Sequence, residues 1–156
     1  MAKALVIYDS KFGNTAKVAD ALVQGLAAQR IEAESANVVL VAIDRLSEYD
    51  ALLIGGPTHR QKTSELMAMF LDRLDKAHVS GKVGFAFDTK AEDRFAGSAG
   101  RRIERKLKKL GMKVVMPCAS AIVVGREGPL KEGTEETFMQ IGSQIAHAIT
   151  SLTPSR

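Results

Sequence analysis

Short apolar runs of strand length alternate with amphipathic segments of helical period from the first residues of this chain to the last. Ala4 to Tyr8, Ala51 to Ile54, Lys82 to Phe87 and Val114 to Val124 are rich in aliphatic residues and read as buried strands, the last interrupted by Pro117. Ile31 to Ala36 is less apolar and suits a sheet edge. Between the strands, Thr15 to Gln29 carries Val18, Leu22, Val23 and Leu26 at helical spacing, and Ser64 to Lys76 carries Leu66, Met67, Phe70, Leu71 and Leu74. Ser98 to Leu110 and Thr134 to Leu152 complete four helices. The connection from Ala36 to Tyr49 is short for a full helix, so a brief or irregular crossover is expected there. Strand–helix alternation of this kind predicts an α/β fold: a parallel sheet built from right-handed βαβ units, with helices on both faces.

The 156 residues, 46% of them hydrophobic and 26% charged, suit a single domain spanning residues 1–156. No apolar run approaches the roughly 20 residues that cross a bilayer, and the apolar stretch after Met1 is too short for a signal peptide. Cys118 is the one cysteine, which excludes an internal disulfide and a cysteine-based metal cluster. A cytoplasmic protein without a membrane partner is expected. The net charge of +4 is unevenly placed: seven basic residues fall between Arg101 and Lys113, with Glu104 the only acid among them. Ile103, Leu107 and Leu110 form an inward stripe on that segment, so the basic residues read first as a solvated helix face. No aromatic interleaves with them, and no nucleic-acid partner is expected.

Open parallel sheets bind ligands at the carboxyl ends of their strands, where the strand order reverses. Three segments follow such ends: Ser10 to Asn14, Pro57 to Thr63 and Asp88 to Arg94. The first reads Ser10-Lys11-Phe12-Gly13-Asn14-Thr15 and opens into a helix. Free backbone N–H groups and the positive helix end converge there, with hydroxyls at Ser10 and Thr15, which suits one phosphate group. The patterns of nucleotide triphosphatases and dinucleotide folds are absent. A plain helix cap by Ser10 or Asn14 explains the same residues equally well.

Ser10, Gly13 and Thr15 resemble the phosphate loop of the flavodoxin family, with Phe12 in place of a hydroxyl residue and Asn14 as a substitute donor. Tyr49 through Gly55-Gly56-Pro57-Thr58 resembles that family's third strand and flavin loop, with His59 and Arg60 where an aromatic usually covers the ring. Asp88-Thr89 and Phe95-Ala96-Gly97 resemble the third flavin segment without its stacking tyrosine. Gly125-Arg126-Glu127-Gly128-Pro129 is similar to the family's exit from the fifth strand. The resemblance covers nearly the whole chain and implies a doubly wound, three-layer fold with five parallel strands in the order 2-1-3-4-5. It further implies FMN as cofactor, bound by Ser10, Lys11, Phe12, Gly13, Asn14, Thr15, Pro57, Thr58, His59, Arg60, Asp88, Thr89, Phe95 and Gly97.

The implied function is electron transfer through a bound flavin. Arg60, Lys62, Lys90 and Arg94 lie in or beside the ring loops. Cations there favour an anionic reduced flavin and suggest an acidic redox partner, such as a ferredoxin or a reductase. Two other readings remain open: an FMN-dependent NAD(P)H:quinone reductase, and a module that keeps the fold without flavin. Cys118 lacks a neighbouring base or resolving thiol, so thiol chemistry is not expected. Asp9 reads as a turn-starting side chain.

Overall fold

Alternation along each strand divides the apolar residues between two layers, and the computed structural model, which describes residues 1–59, 62–93 and 97–153, shows both filled. Strand β1 (Lys3–Tyr8) leads into helix α1 (Asn14–Ala28), then β2 (Glu32–Asn37). Two short 3-10 segments, Val38–Leu40 and Ile43–Glu48, form the irregular crossover to β3 (Ala51–Pro57). Helix α2 (Glu65–Arg73) ends in a further 3-10 turn, Leu74–Lys76. After β4 (Val83–Ala91) come α3 (Ala99–Lys109), β5 (Lys113–Val114), β6 (Ala119–Val123) and α4 (Thr134–Leu152).

The sheet runs β2-β1-β3-β4-β5, the expected order, and its strands pair in parallel. Ala4, Val6, Leu53, Phe85 and Phe87 point into one core against Val18, Leu22 and Leu26 of α1 and Phe138, Ile145 and Ile149 of α4. Leu5, Ile7, Leu52 and Ile54 point the other way, against Met67, Phe70 and Leu71 of α2 and Ile103 and Leu107 of α3. β1 and β3 are buried on both sides, which explains their continuous apolar character. β2, with its partly exposed face, sits at the edge.

Two strands differ from expectation. The fifth is split: β5 pairs with the start of β4 at Val83–Gly84, and β6 pairs with its end from Phe87 to Ala91. Pro117 lies in the gap, where it has no N–H to offer a ladder. β4 in turn continues to Ala91, so Asp88, Thr89 and Lys90, expected in a loop, are strand residues: β3 and β6 flank Asp88 and Thr89, and β6 alone pairs with Lys90.

Helices α1 and α4 approach closely enough to touch through backbone. A Cβ on Gly25 would lie 2.0 Å from the Met139 carbonyl oxygen, and one on Gly142 would lie 2.5 Å from that of Leu22. The Ser143 hydroxyl donates to the Gly25 carbonyl across the seam at 3.2 Å. Gly25→Ala is therefore expected to destabilise the fold by about 3 kcal/mol, because the backbone must move to admit a methyl group. Urea denaturation measures this; a loss below about 0.5 kcal/mol would deny the close helix crossing.

Candidate functional site

After β1 the chain turns at Asp9, whose N–H donates to the Gly55 carbonyl at 3.1 Å. The Ser10 hydroxyl oxygen accepts the Gly13 N–H at 3.0 Å, and Gly13 adopts a left-handed conformation (φ 89°) as α1 begins. Ser10 thus closes the turn, but no side chain among the described residues caps α1, and its first turn holds no acid. Helices α2 and α3 differ: Ser64 accepts from the Met67 N–H and Ser98 from the Arg101 N–H, both at 3.2 Å. The N-terminus of α1 therefore keeps N–H donors and positive potential directed out of the helix.

Hydroxyl contacts lock the neighbouring segments together. Thr15, buried, shares a hydrogen bond of 3.0 Å with Thr89 of β4. The Thr58 N–H donates to the Thr89 carbonyl at 2.9 Å, and the Thr58 hydroxyl oxygen accepts the Ala99 N–H at 3.0 Å. His59 and Lys62 exchange backbone hydrogen bonds of 2.7 and 2.8 Å, a tight bridge that fixes the His59 backbone. Arg60, Arg94 and Phe95 lie outside the described residues.

These segments enclose a cleft of roughly 350 Å³ at the carboxyl ends of the strands. Ser10, Lys11, Phe12, Asn14 and Thr15 line one end, and Pro57, Thr58 and His59 another, with Thr89 and Lys90 from β4. Phe12, 47% exposed, stands on the wall with the Lys11 ammonium 5.2 Å above its ring. Ala91, Val123, Gly125 and Arg126 complete the lining. The sequence places Gly125–Pro129 at a strand exit, and no motif in it shows that this exit folds over the cleft. Its position at the carboxyl end of a strand beside β4 is the clue that was available. Lys11, Lys90 and Arg126 bring three cations to the cleft, and no carboxylate lines it among the described residues.

Other expected site residues stand behind that wall. Asp88 is fully buried; its Oδ2 accepts the Gly100 N–H at 2.8 Å and the Ser98 hydroxyl at 2.5 Å, so it anchors the start of α3 rather than facing the cleft. The Gly97 carbonyl accepts from the Lys90 ammonium at 3.4 Å. Gly55 serves the core: a Cβ there would fall 2.4 Å from the Phe87 ring, so its missing side chain makes room for Phe87 rather than for a ligand. Burial, then Glu104 and Asp88, pushes the Cys118 thiol up from its ordinary range, which keeps it protonated near neutrality. Among the described residues no group of His, Cys, Asp and Glu is placed to hold a metal ion, and no helix is long and apolar enough to cross a membrane.

Comparison with known proteins agrees with this geometry. The chain is 32% identical over 121 residues to a flavodoxin of Maridesulfovibrio salexigens, an alignment covering 74% of this chain and 82% of that protein. It is 30% identical over 115 residues to an NAD(P)H dehydrogenase (quinone) of Azorhizobium caulinodans, covering 58% of each. A solved flavodoxin from the domain Archaea superposes with a TM-score of 0.82 at 26% identity, covering 95% of this chain and 99% of that one. The family model for flavodoxin matches residues 6–141. With the strand order and the position of the cleft, these matches establish that the chain belongs to the flavodoxin family.

Proposed function

We propose that the flavin of this family member is FMN, held in the cleft between the first, second and third loops, and that the protein carries electrons between redox partner proteins. One observation carries the reading: an uncapped helix N-terminus opens at one end of a cleft that holds three cations and no carboxylate among its described lining. That donor set suits a phosphate dianion attached to a planar group. FMN, when bound, supplies the capacity to accept and release electrons one at a time; the protein positions it and sets its potential. Ser10, Thr15 and the N–H groups of α1 hold the phosphate, while Pro57, Thr58 and His59 flank the ring. Titrating flavin-free protein with FMN tests this through quenching of flavin fluorescence. Tight, saturable quenching supports the reading, and no binding at micromolar FMN defeats it.

His59→Ala is expected to weaken FMN and riboflavin equally, by roughly five- to tenfold, because the imidazole meets the ring and not the phosphate. The two affinities measured side by side check this; unchanged binding of both flavins would remove His59 from the ring site.

The basic lining favours an acidic redox partner, a ferredoxin or a reductase, whose reduction rate should fall as salt rises. A second reading, an NAD(P)H:quinone reductase, gains support from one feature. His59 also lines an adjoining open cavity of roughly 490 Å³ with Lys62, Thr63, Ser64, Glu65 and Leu66, which offers a second reactant room beside the ring. Rapid NADPH oxidation in the presence of a quinone would favour that reading over the carrier.

A further inference from the structure

The segment after β6 returns on itself as a hairpin. The Val124 N–H donates to the Pro129 carbonyl and the Lys131 N–H to the Ile122 carbonyl, both at 2.8 Å, with Val123 bridged to Leu130. The tip of this hairpin rests on the start of α1. The Asn14 side-chain amide donates to the Glu127 carbonyl at 3.0 Å, and a Cβ on Gly128 would fall 3.1 Å from the Asn14 Oδ1. Gly128 has φ 130°, which side chains rarely adopt, so glycine is what lets the tip lie against Asn14. Asn14 is only 7% exposed, and its amide is engaged with this loop, 113 residues away in sequence.

This contact brings the residue before Glu127, Arg126, to the end of the cleft where α1 begins, and Arg126 lines that cleft. None of the ion pairs formed among the described residues involves Arg126. We propose that the β6–α4 hairpin is a fourth wall of the phosphate site, in which Arg126 gives the preference for phosphorylated over unphosphorylated flavin and Asn14 positions the loop. The inference rests on the FMN reading and deepens it: it names which chain segment reads the phosphate charge. A guanidinium offers paired N–H donors to phosphate oxygens, and the N–H groups of α1 supply the neutral remainder of the cradle. Asn14, expected from the sequence to be a direct phosphate donor, acts instead by holding the hairpin.

The test compares FMN and riboflavin binding to the full chain by fluorescence quenching, at low and at high salt. Arg126→Gln should weaken FMN roughly five- to tenfold at low salt and leave riboflavin within about twofold, with Arg126→Lys recovering part of the loss. The salt dependence of FMN binding should flatten in the glutamine variant. Asn14→Ala should weaken FMN by a similar factor, and the double variant should be little worse than either single one, because both remove the same contact. Thermal unfolding of each variant reports whether the fold is retained. Equal FMN affinity in wild type and Arg126→Gln, or equal losses for both flavins, would overturn the role of Arg126. Additive losses in the double variant would overturn the positioning role of Asn14. A wild type that binds neither flavin would instead overturn the FMN reading, and the inference with it.

Discussion

Ser10→Glu is expected to lower FMN affinity by roughly a hundredfold or more while the protein remains folded. Ser10 is partly exposed at the wall of the cleft, and among the described residues its side chain's one hydrogen bond is the Gly13 N–H that it accepts. A glutamate carboxylate can accept that N–H in its place, so the turn survives. The new negative charge then stands where the proposed site receives the phosphate. Two unit charges about 4 Å apart repel by roughly 4 kcal/mol at an effective dielectric of ~20, and a dianion raises that figure before Lys11 and solvent reduce it. Riboflavin, which carries no phosphate, should lose far less. Fluorescence titrations with both flavins, with circular dichroism as the check on folding, decide the matter. FMN binding within about tenfold of wild type would place the phosphate elsewhere than the first loop.

The contrast between what the sequence disclosed and what it concealed follows from how far each signal reaches along the chain. β1, β3 and the four helices announce themselves because burial on one or both faces imposes a local period, and the irregular crossover from β2 to β3 follows from its length. The first loop is equally local: a strand end, a hydroxyl, a glycine and a helix start lie within six residues. Asp88 shows the limit. An aspartate at a strand end looks like a ligand, but its carboxylate meets Ser98 and Gly100, ten and twelve residues on, and no spacing rule forecasts that choice. The glycine at position 55 lies in the stretch that resembles a flavin loop, yet it is clearance for Phe87, on the neighbouring strand. Arg126 was hidden for the same reason. Its place depends on an amide at position 14 reaching a carbonyl at position 127, a tertiary contact that neither segment advertises alone.

Charge at the cleft bears on potential as well as affinity. Lys90→Glu is expected to make the second one-electron reduction of the bound flavin more negative by on the order of 50 mV. The fully reduced flavin is anionic, so a nearby cation stabilises it relative to the preceding state, and reversing that charge removes the stabilisation and adds repulsion. At a solvent-exposed cleft the effective dielectric is high, and the reversal amounts to about 1 kcal/mol, which is the size quoted for a single electron. Lys90 suits the test because β6 holds its backbone, and its ammonium donates to the Gly97 carbonyl and forms no ion pair among the described residues. Lys109→Glu makes the same change in net charge at the far end of α3. It lies ten residues from Ala99 and therefore about 15 Å along the helix axis, beyond the screening length at physiological salt. A spectroelectrochemical titration of both variants separates local from global charge. A shift confined to Lys90→Glu, shrinking as salt rises, is the expected result. Equal shifts in both variants would mean that net charge alone sets the potential, and no shift in either would mean that the cations of the cleft act on binding and not on redox. The same reasoning predicts a second potential for the wild type less negative than a flavodoxin with an acidic cleft would show, because Lys11, Lys90 and Arg126 surround a site lined, among the described residues, by no carboxylate.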